Sequence, residues 1–154
     1  KLPDGRAEFG KEEYAHNAGD WNGVDLFHGY LASLTTNLYE MRTAEVRVRE
    51  LYGVRYHIGK EPVPGWDRQV ASFHQDWKIF ENPNAFPRAW VVHKATQAST
   101  EGEIRGALDG KDFNLRSEAF LRARPPQLDS CAAPGEAWVL NRVSNRVEMY
   151  AELA

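Results

Sequence analysis

Residues 78–94 read Lys-Ile-Phe-Glu-Asn-Pro-Asn-Ala-Phe-Pro-Arg-Ala-Trp-Val-Val-His-Lys, and their order spells strand, punctuated turn, strand. Ile79 and Phe80 belong to an apolar, β-favouring run. Asn82-Pro83-Asn84 ends it, because a proline removes a backbone donor and fixes φ while asparagine favours turns. Pro87 then forces Phe86 to be extended. From Arg88 the side chains alternate, with Ala89, Val91 and His93 on one face and Arg88, Trp90, Val92 and Lys94 on the other, which predicts a second strand. No residue type here announces catalysis, so composition alone gives the stretch an architectural role.

Upstream, residues 70–80 form a β-favouring run that predicts a hairpin turning at Gln75-Asp76. Before it, residues 59–66 carry Pro62, Pro64 and Gly65 and read as a surface excursion. Val54, Tyr56 and Ile58 alternate with Arg55 and His57, giving another strand. Leu31, Leu34, Leu38, Met41, Val48 and Tyr52, with Ala44 filling the gap, recur at helical spacing and predict one longer amphipathic helix over about 37–52. Asn37 and Glu40 form a capping pair at its start, and Gly53 stops it. Arg42, Glu45, Arg47, Arg49 and Glu50 then occupy a solvated face. Residues 6–9 make a short strand, and the glycine-punctuated residues 12–30 read as a loop.

Downstream, Thr100 and Glu103 are spaced as a capping box for a short helix over about 101–109, closed by Gly110. Residues 119–124 alternate until Pro125-Pro126 ends them. Residues 138–142 and 146–153 read as a hairpin closed near Ser144-Asn145. The expected fold class is therefore α+β: a mixed, mainly antiparallel sheet with one longer helix and one short one.

The 154 residues suit a single domain, 1–154, able to bury roughly two-thirds of its unfolded surface. A hydrophobic share of 42%, with five Trp, six Tyr and seven Phe, suffices for a packed core. The 22 acids and 19 bases are mixed along the chain, so no basic stripe invites nucleic acid or anionic lipid. Cys131 is alone and forms no internal disulfide. No window approaches the eighteen or so apolar residues of a membrane span. A start at Lys1 without methionine and a stop at Ala154 inside an alternating pattern point to a segment of a longer protein.

Chemistry-bearing motifs are sparse. His16, His28, His57, His74 and His93 are scattered, with no second ligand type at metal spacing, so neither a metal nor another cofactor is expected. His57 and His93 could meet only if neighbouring strands carried them. No nucleophile elbow or phosphate-binding loop is present, and no catalytic residue is assigned. Asp20 and Asp25 are acids of the type a glycoside hydrolase pairs, although loop acids are usually just solvated. Trp21, Asn22, Asp25, His28 and Tyr30 make a candidate ligand-binding group, since aromatic faces stack on sugar rings while amides and carboxylates meet hydroxyls. The competing reading has Trp21 and Tyr30 anchoring the loop on the core. Trp66 and Trp77 pose the same choice.

Three segments resemble one family. Leu51-Tyr52-Gly53-Val54-Arg55-Tyr56, Phe80-Glu81-Asn82-Pro83-Asn84-Ala85-Phe86-Pro87-Arg88-Ala89 and Asn145-Arg146-Val147-Glu148 are similar in wording, order and spacing to phrases in the large extracytoplasmic region of YfhO-type bacterial membrane proteins. The middle phrase is the most specific, with Phe86 standing where leucine is usual. Gly29-Tyr30 resembles a glycine-tyrosine step ahead of the family's helix, but the residues after it depart from the pattern and carry no ligand role.

The resemblance implies an extracytoplasmic part of a multi-span protein similar to the C-type membrane glycosyltransferases, which use lipid-linked sugar donors. It would be tethered at the outer face of the bacterial membrane, periplasmic in a Gram-negative cell, with further strands of the domain beyond Ala154. The family's catalytic acid belongs near the first membrane spans, outside this chain. The expected function is accordingly a non-catalytic accessory domain in cell-envelope polysaccharide glycosylation. Its partners would be the membrane-embedded part of the parent chain and a glycan or lipid-linked acceptor. The alternatives are a stand-alone carbohydrate-active hydrolase and an envelope protein-interaction module, the latter marked by a sizeable exposed apolar patch.

Overall fold

A computed structural model describes residues 5–10, 18–27, 45–73, 76–109, 114–128, 135–143 and 145–153, with only the backbone of Ala18 and Asp20. The chain divides into two compact units, Lys1–Pro87 and Arg88–Ala154.

The first unit is built on a four-stranded sheet of β1 (Arg6–Phe9), β2 (Val54–Gly59), β3 (Arg68–Phe73) and β4 (Trp77–Glu81), in the order β1-β2-β4-β3. β2 lies inside, parallel to β1 and antiparallel to β4, with Ile58 opposite Ile79 and His57 opposite Phe80. Two apolar clusters form along β2. Tyr56 and Ile58 pack with Ala7, Phe9, Val24, Leu26, Trp77 and Ile79, while Val54 packs with Val63, Trp66, Phe27, Val46 and Tyr52. The excursion at 59–66 is thus pinned by two buried side chains, Val63 and Trp66. β3 is exposed along its length, as an edge strand, and its hairpin with β4 turns through Asp76 at φ 64°.

Among the described residues this unit has two helices, α1 (Ala18–Asn22) and α2 (Val46–Leu51). The longer helix expected over 37–52 is not formed as such. Glu45 has an extended backbone (φ −77°, ψ 138°) and cannot sit inside a helix, so α2 begins at Val46, while 37–44 lie outside the described residues. Two β-branched residues, Val46 and Val48, weaken the local helical preference, and Gly53 ends α2 at φ 69° as expected.

In the second unit, β5 (Lys94–Gln97) and β6 (Glu118–Leu121) pair in parallel across α3 (Glu101–Asp109). Glu103 N–H donates to Thr100 Oγ1 at 3.3 Å, and the Thr100 and Ser99 N–H groups donate to Glu103 Oε2 at 3.0 and 2.8 Å, a complete capping box. β7 (Glu136–Val143) and β8 (Arg146–Glu152) form a separate antiparallel hairpin, with Trp138 stacked on Tyr150.

The strand expected from Arg88 starts only at Lys94. Alternation orders side chains on two faces, but a strand also needs a neighbour to bond. The neighbour arrives at Ser117, whose carbonyl accepts from both His93 and Lys94 N–H. Among the described residues strand predominates over helix, in three sheets with only short helices, so the fold is mainly β rather than α+β with one longer helix.

Candidate functional site

Three features of the described residues bear on function: an exposed aromatic beside β1, a buried charge cluster behind it, and the turn after β4.

Gly19 carbonyl accepts Val24 N–H at 3.0 Å, folding residues 19–24 back on themselves, and a Cβ at Gly19 would lie 2.4 Å from the Val24 carbonyl oxygen. The chain then runs along the free edge of β1, where Ala7 N–H donates to the Asp25 carbonyl and Phe27 N–H to the Ala7 carbonyl, both at 2.8 Å. Val24, Leu26 and Phe27 are the side chains that anchor this segment on the core. Trp21 is not an anchor, being 79% exposed, with exposed Asn22 beside it and half-buried Asp25 nearby in sequence. Of the five candidate ligand residues, Trp21, Asn22 and Asp25 are thus placed on one short segment, and His28 and Tyr30 lie outside the described residues. The Asp20 side chain lies outside them as well. Trp66 is fully buried, and Trp77 is half-buried against Phe73.

Behind β1, Glu8 is buried. Its Oε1 accepts Arg49 Nη1–H at 2.7 Å from α2 and faces His57 Nδ1 at 3.0 Å from β2. With a carboxylate as partner, the ring proton on that side sits on Nδ1. The Arg49 guanidinium also lies over the Trp66 ring, 5.1 Å from its centre, a cation–π contact. Arg49 was expected on a solvated helix face; α2 turns it inward because the buried acid it neutralises stands on β1. Arg49 Nε and Trp66 Nε1 have no hydrogen-bond partner among the described residues. One carboxylate thus holds a guanidinium and an imidazole from two other elements, an arrangement that locks β1, α2 and β2 together. His93, in the other unit, precedes β5 and belongs to no sheet with His57. Among the described residues no group of three or more His, Cys, Asp and Glu is placed to hold a metal.

The turn after β4 closes on the segment joining α2 to β2. Asn82 is 1% exposed. Its Nδ2–H donates to the Val54 carbonyl at 2.9 Å, its Oδ1 accepts Asn84 N–H at 2.9 Å, and its own N–H donates to the Arg55 carbonyl at 2.8 Å. Phe86 N–H donates to the Glu50 carbonyl at 2.9 Å, and a Cβ on Gly53 would stand 2.9 Å from the Phe86 carbonyl oxygen. The segments around Gly53 and Asn82 are therefore bonded face to face. Each segment announces its own turn in the sequence, but nothing in the wording marks the bonds between them.

In the second unit, the Glu118 carboxylate accepts Thr96 Oγ1–H at 2.8 Å and Lys94 Nζ–H at 2.6 Å. The lysine contact holds its carboxyl below the usual range, the threonine bond adds to this, and burial opposes it. This acid too is committed to joining strands, β5 to β6. No helix among the described residues is long and apolar enough to cross a membrane. Comparison of the chain with protein-family models, with curated proteins and with solved structures yields no match.

Proposed function

We propose that this chain is a non-catalytic extracytoplasmic accessory domain of a membrane glycosyltransferase-like protein, similar to the YfhO type, that positions a glycan or lipid-linked acceptor. The observation that carries the reading is the clamp between residues 50–55 and 82–86. The wording shared with that family falls on residues whose backbones bond one another, so the likeness concerns one structural element. The glycan half is supported by Trp21, whose indole offers its face to solvent next to the Asn22 amide. Titration calorimetry of the chain against neutral and acidic oligosaccharides tests it. A saturable response abolished by Trp21→Ala is expected; no response in the wild-type chain refutes glycan positioning and leaves a structural role.

The hydrolase alternative turns on Asp20 and Asp25, and the Asp20 side chain lies outside the described residues; the buried acids Glu8 and Glu118 are each paired with a cation. The interaction-module reading has an observation in its favour. Leu140, Met149 and Leu153 of the β7–β8 region are each more than 60% exposed, and Val143, Val147 and Tyr150 are exposed with them.

A further inference from the structure

The β7–β8 hairpin is a two-stranded sheet whose strands pair only with each other among the described residues. Such a ribbon is marginal in water without a third strand or a covering layer, and a long apolar edge is a template for another strand. Its two edges differ. The ladder shifts between Val139 and Asn141, so β7 is irregular at its middle, whereas β8 runs seven residues without a break. Period two puts Val147, Met149 and Ala151 on one face of β8, and Arg146, Glu148, Tyr150 and Glu152 on the other. Within the hairpin Glu152 stands directly opposite Glu136, two exposed carboxylates side by side, a pairing that like charges disfavour. Arg146, which bonds Glu148 in its own strand, is at the other end.

We propose that β8 is a self-association edge, at which two copies of this chain pair antiparallel about a two-fold axis at Met149 and join their hairpins into one four-stranded sheet. The proposal rests on the interaction reading of the hairpin and is independent of the glycan reading. In this register Val147 faces Ala151 of the second copy and Met149 faces its own counterpart, a continuous apolar row. On the other face Arg146 of each copy falls opposite Glu152 of the other and brings a cation to the paired carboxylates, while Glu148 meets Tyr150. Adjacent registers are excluded by charge: centred on Glu148, that residue opposes itself, and centred on Tyr150, Glu148 opposes Glu152. An isologous interface of this kind is closed, since each copy spends its one regular edge.

Sedimentation equilibrium and light scattering on the 154-residue chain test the proposal. The wild-type chain is expected to dimerise at micromolar concentration. Arg146→Glu, which sets carboxylates opposite carboxylates twice, is expected to weaken the dimer about tenfold or more. Arg146→Glu combined with Glu152→Arg is expected to restore it. Near-ultraviolet circular dichroism from the stacked Trp138 and Tyr150 verifies that each variant keeps its hairpin. A wild-type chain that stays monomeric at about 100 µM with that signal intact overturns self-pairing, as does a dimer indifferent to both exchanges. In the monomeric case, binding of an apolar dye that Met149→Lys suppresses assigns the face to a different occupant; a monomer that binds no dye overturns the interaction reading as well.

Discussion

Replacing Asn82 by alanine removes the centre of the clamp after β4. The side chain gives two hydrogen bonds, to the Val54 carbonyl and from Asn84 N–H, each worth about 1 kcal/mol net. Its loss also strips the Val54 carbonyl of a partner inside a fully buried site, at a further cost of about 1–2 kcal/mol. Together the substitution is expected to destabilise the protein by about 3 kcal/mol, a large share of the roughly 5–15 kcal/mol that holds a domain folded. With a urea slope of about 1.5 kcal/mol per molar, the unfolding midpoint falls by about 2 M at unchanged slope. Asn82→Asp separates bonding from packing. It keeps the volume and the acceptor for Asn84, but sets a carboxylate oxygen against the Val54 carbonyl, so at neutral pH it is expected to cost at least as much as alanine. As pH falls the carboxyl gains a proton to donate, and the aspartate variant recovers relative to alanine. An alanine variant within about 1 kcal/mol of wild type, or an aspartate variant as stable as asparagine, would show that Pro83 and the backbone hold the turn unaided.

Gly53→Ala is expected to cost about 2 kcal/mol or more in the same unfolding assay, because φ 69° is unfavourable for a residue with a Cβ and that atom would press on the Phe86 carbonyl. Arg49→Met leaves the buried Glu8 carboxylate without its guanidinium and is expected to lose about 3 kcal/mol; adding Glu8→Gln should return part of it, and additive losses in the double-mutant cycle would count against the cluster acting as a unit. Because the folded Glu118 carboxyl lies below its unfolded value of about 4.3, its stabilisation is present above that pH and lost as pH falls through the folded value. Unfolding midpoints between pH 7 and 3 should therefore drop less steeply in Glu118→Gln than in wild type.

Turns and caps whose partners lie close along the chain were legible in the sequence, and so were the strands at 6–9 and 54–58, though not their pairing with each other. The hairpin turning at Asp76, the hairpin of β7 and β8, and the Thr100–Glu103 capping box each join residues within a few positions, and turn chemistry or a fixed offset announces them. The misreadings have distant partners. Arg49 faces inward because of Glu8, 41 positions away, and no local pattern marks a helical arginine as buried. The apolar stripe drawn from Leu31 to Tyr52 counted periodicity through Glu45, where the backbone is extended, and periodicity records positions rather than φ and ψ. Alternation from Arg88 to His93 likewise ordered faces without supplying a neighbouring strand.

The candidate ligand group shows the same division from the other side. Trp21 competed between stacking on a ligand and anchoring a loop, and the loop is anchored instead by Val24, Leu26 and Phe27, residues with no chemical signature at all. That outcome frees the indole without assigning it a ligand, so it supports a binding role only through an experiment on Trp21 itself. The most distinctive wording in the chain tells against equating specificity of sequence with chemistry. Asn82, Pro83 and Phe86 stand where they do because a buried amide must reach the Val54 carbonyl across 28 positions and a backbone N–H must reach Glu50. Such a phrase is constrained by folding alone, and its partner segment around Gly53 is constrained with it. Distinctive wording in both phrases at once is therefore accounted for by one fold element and carries no argument about activity.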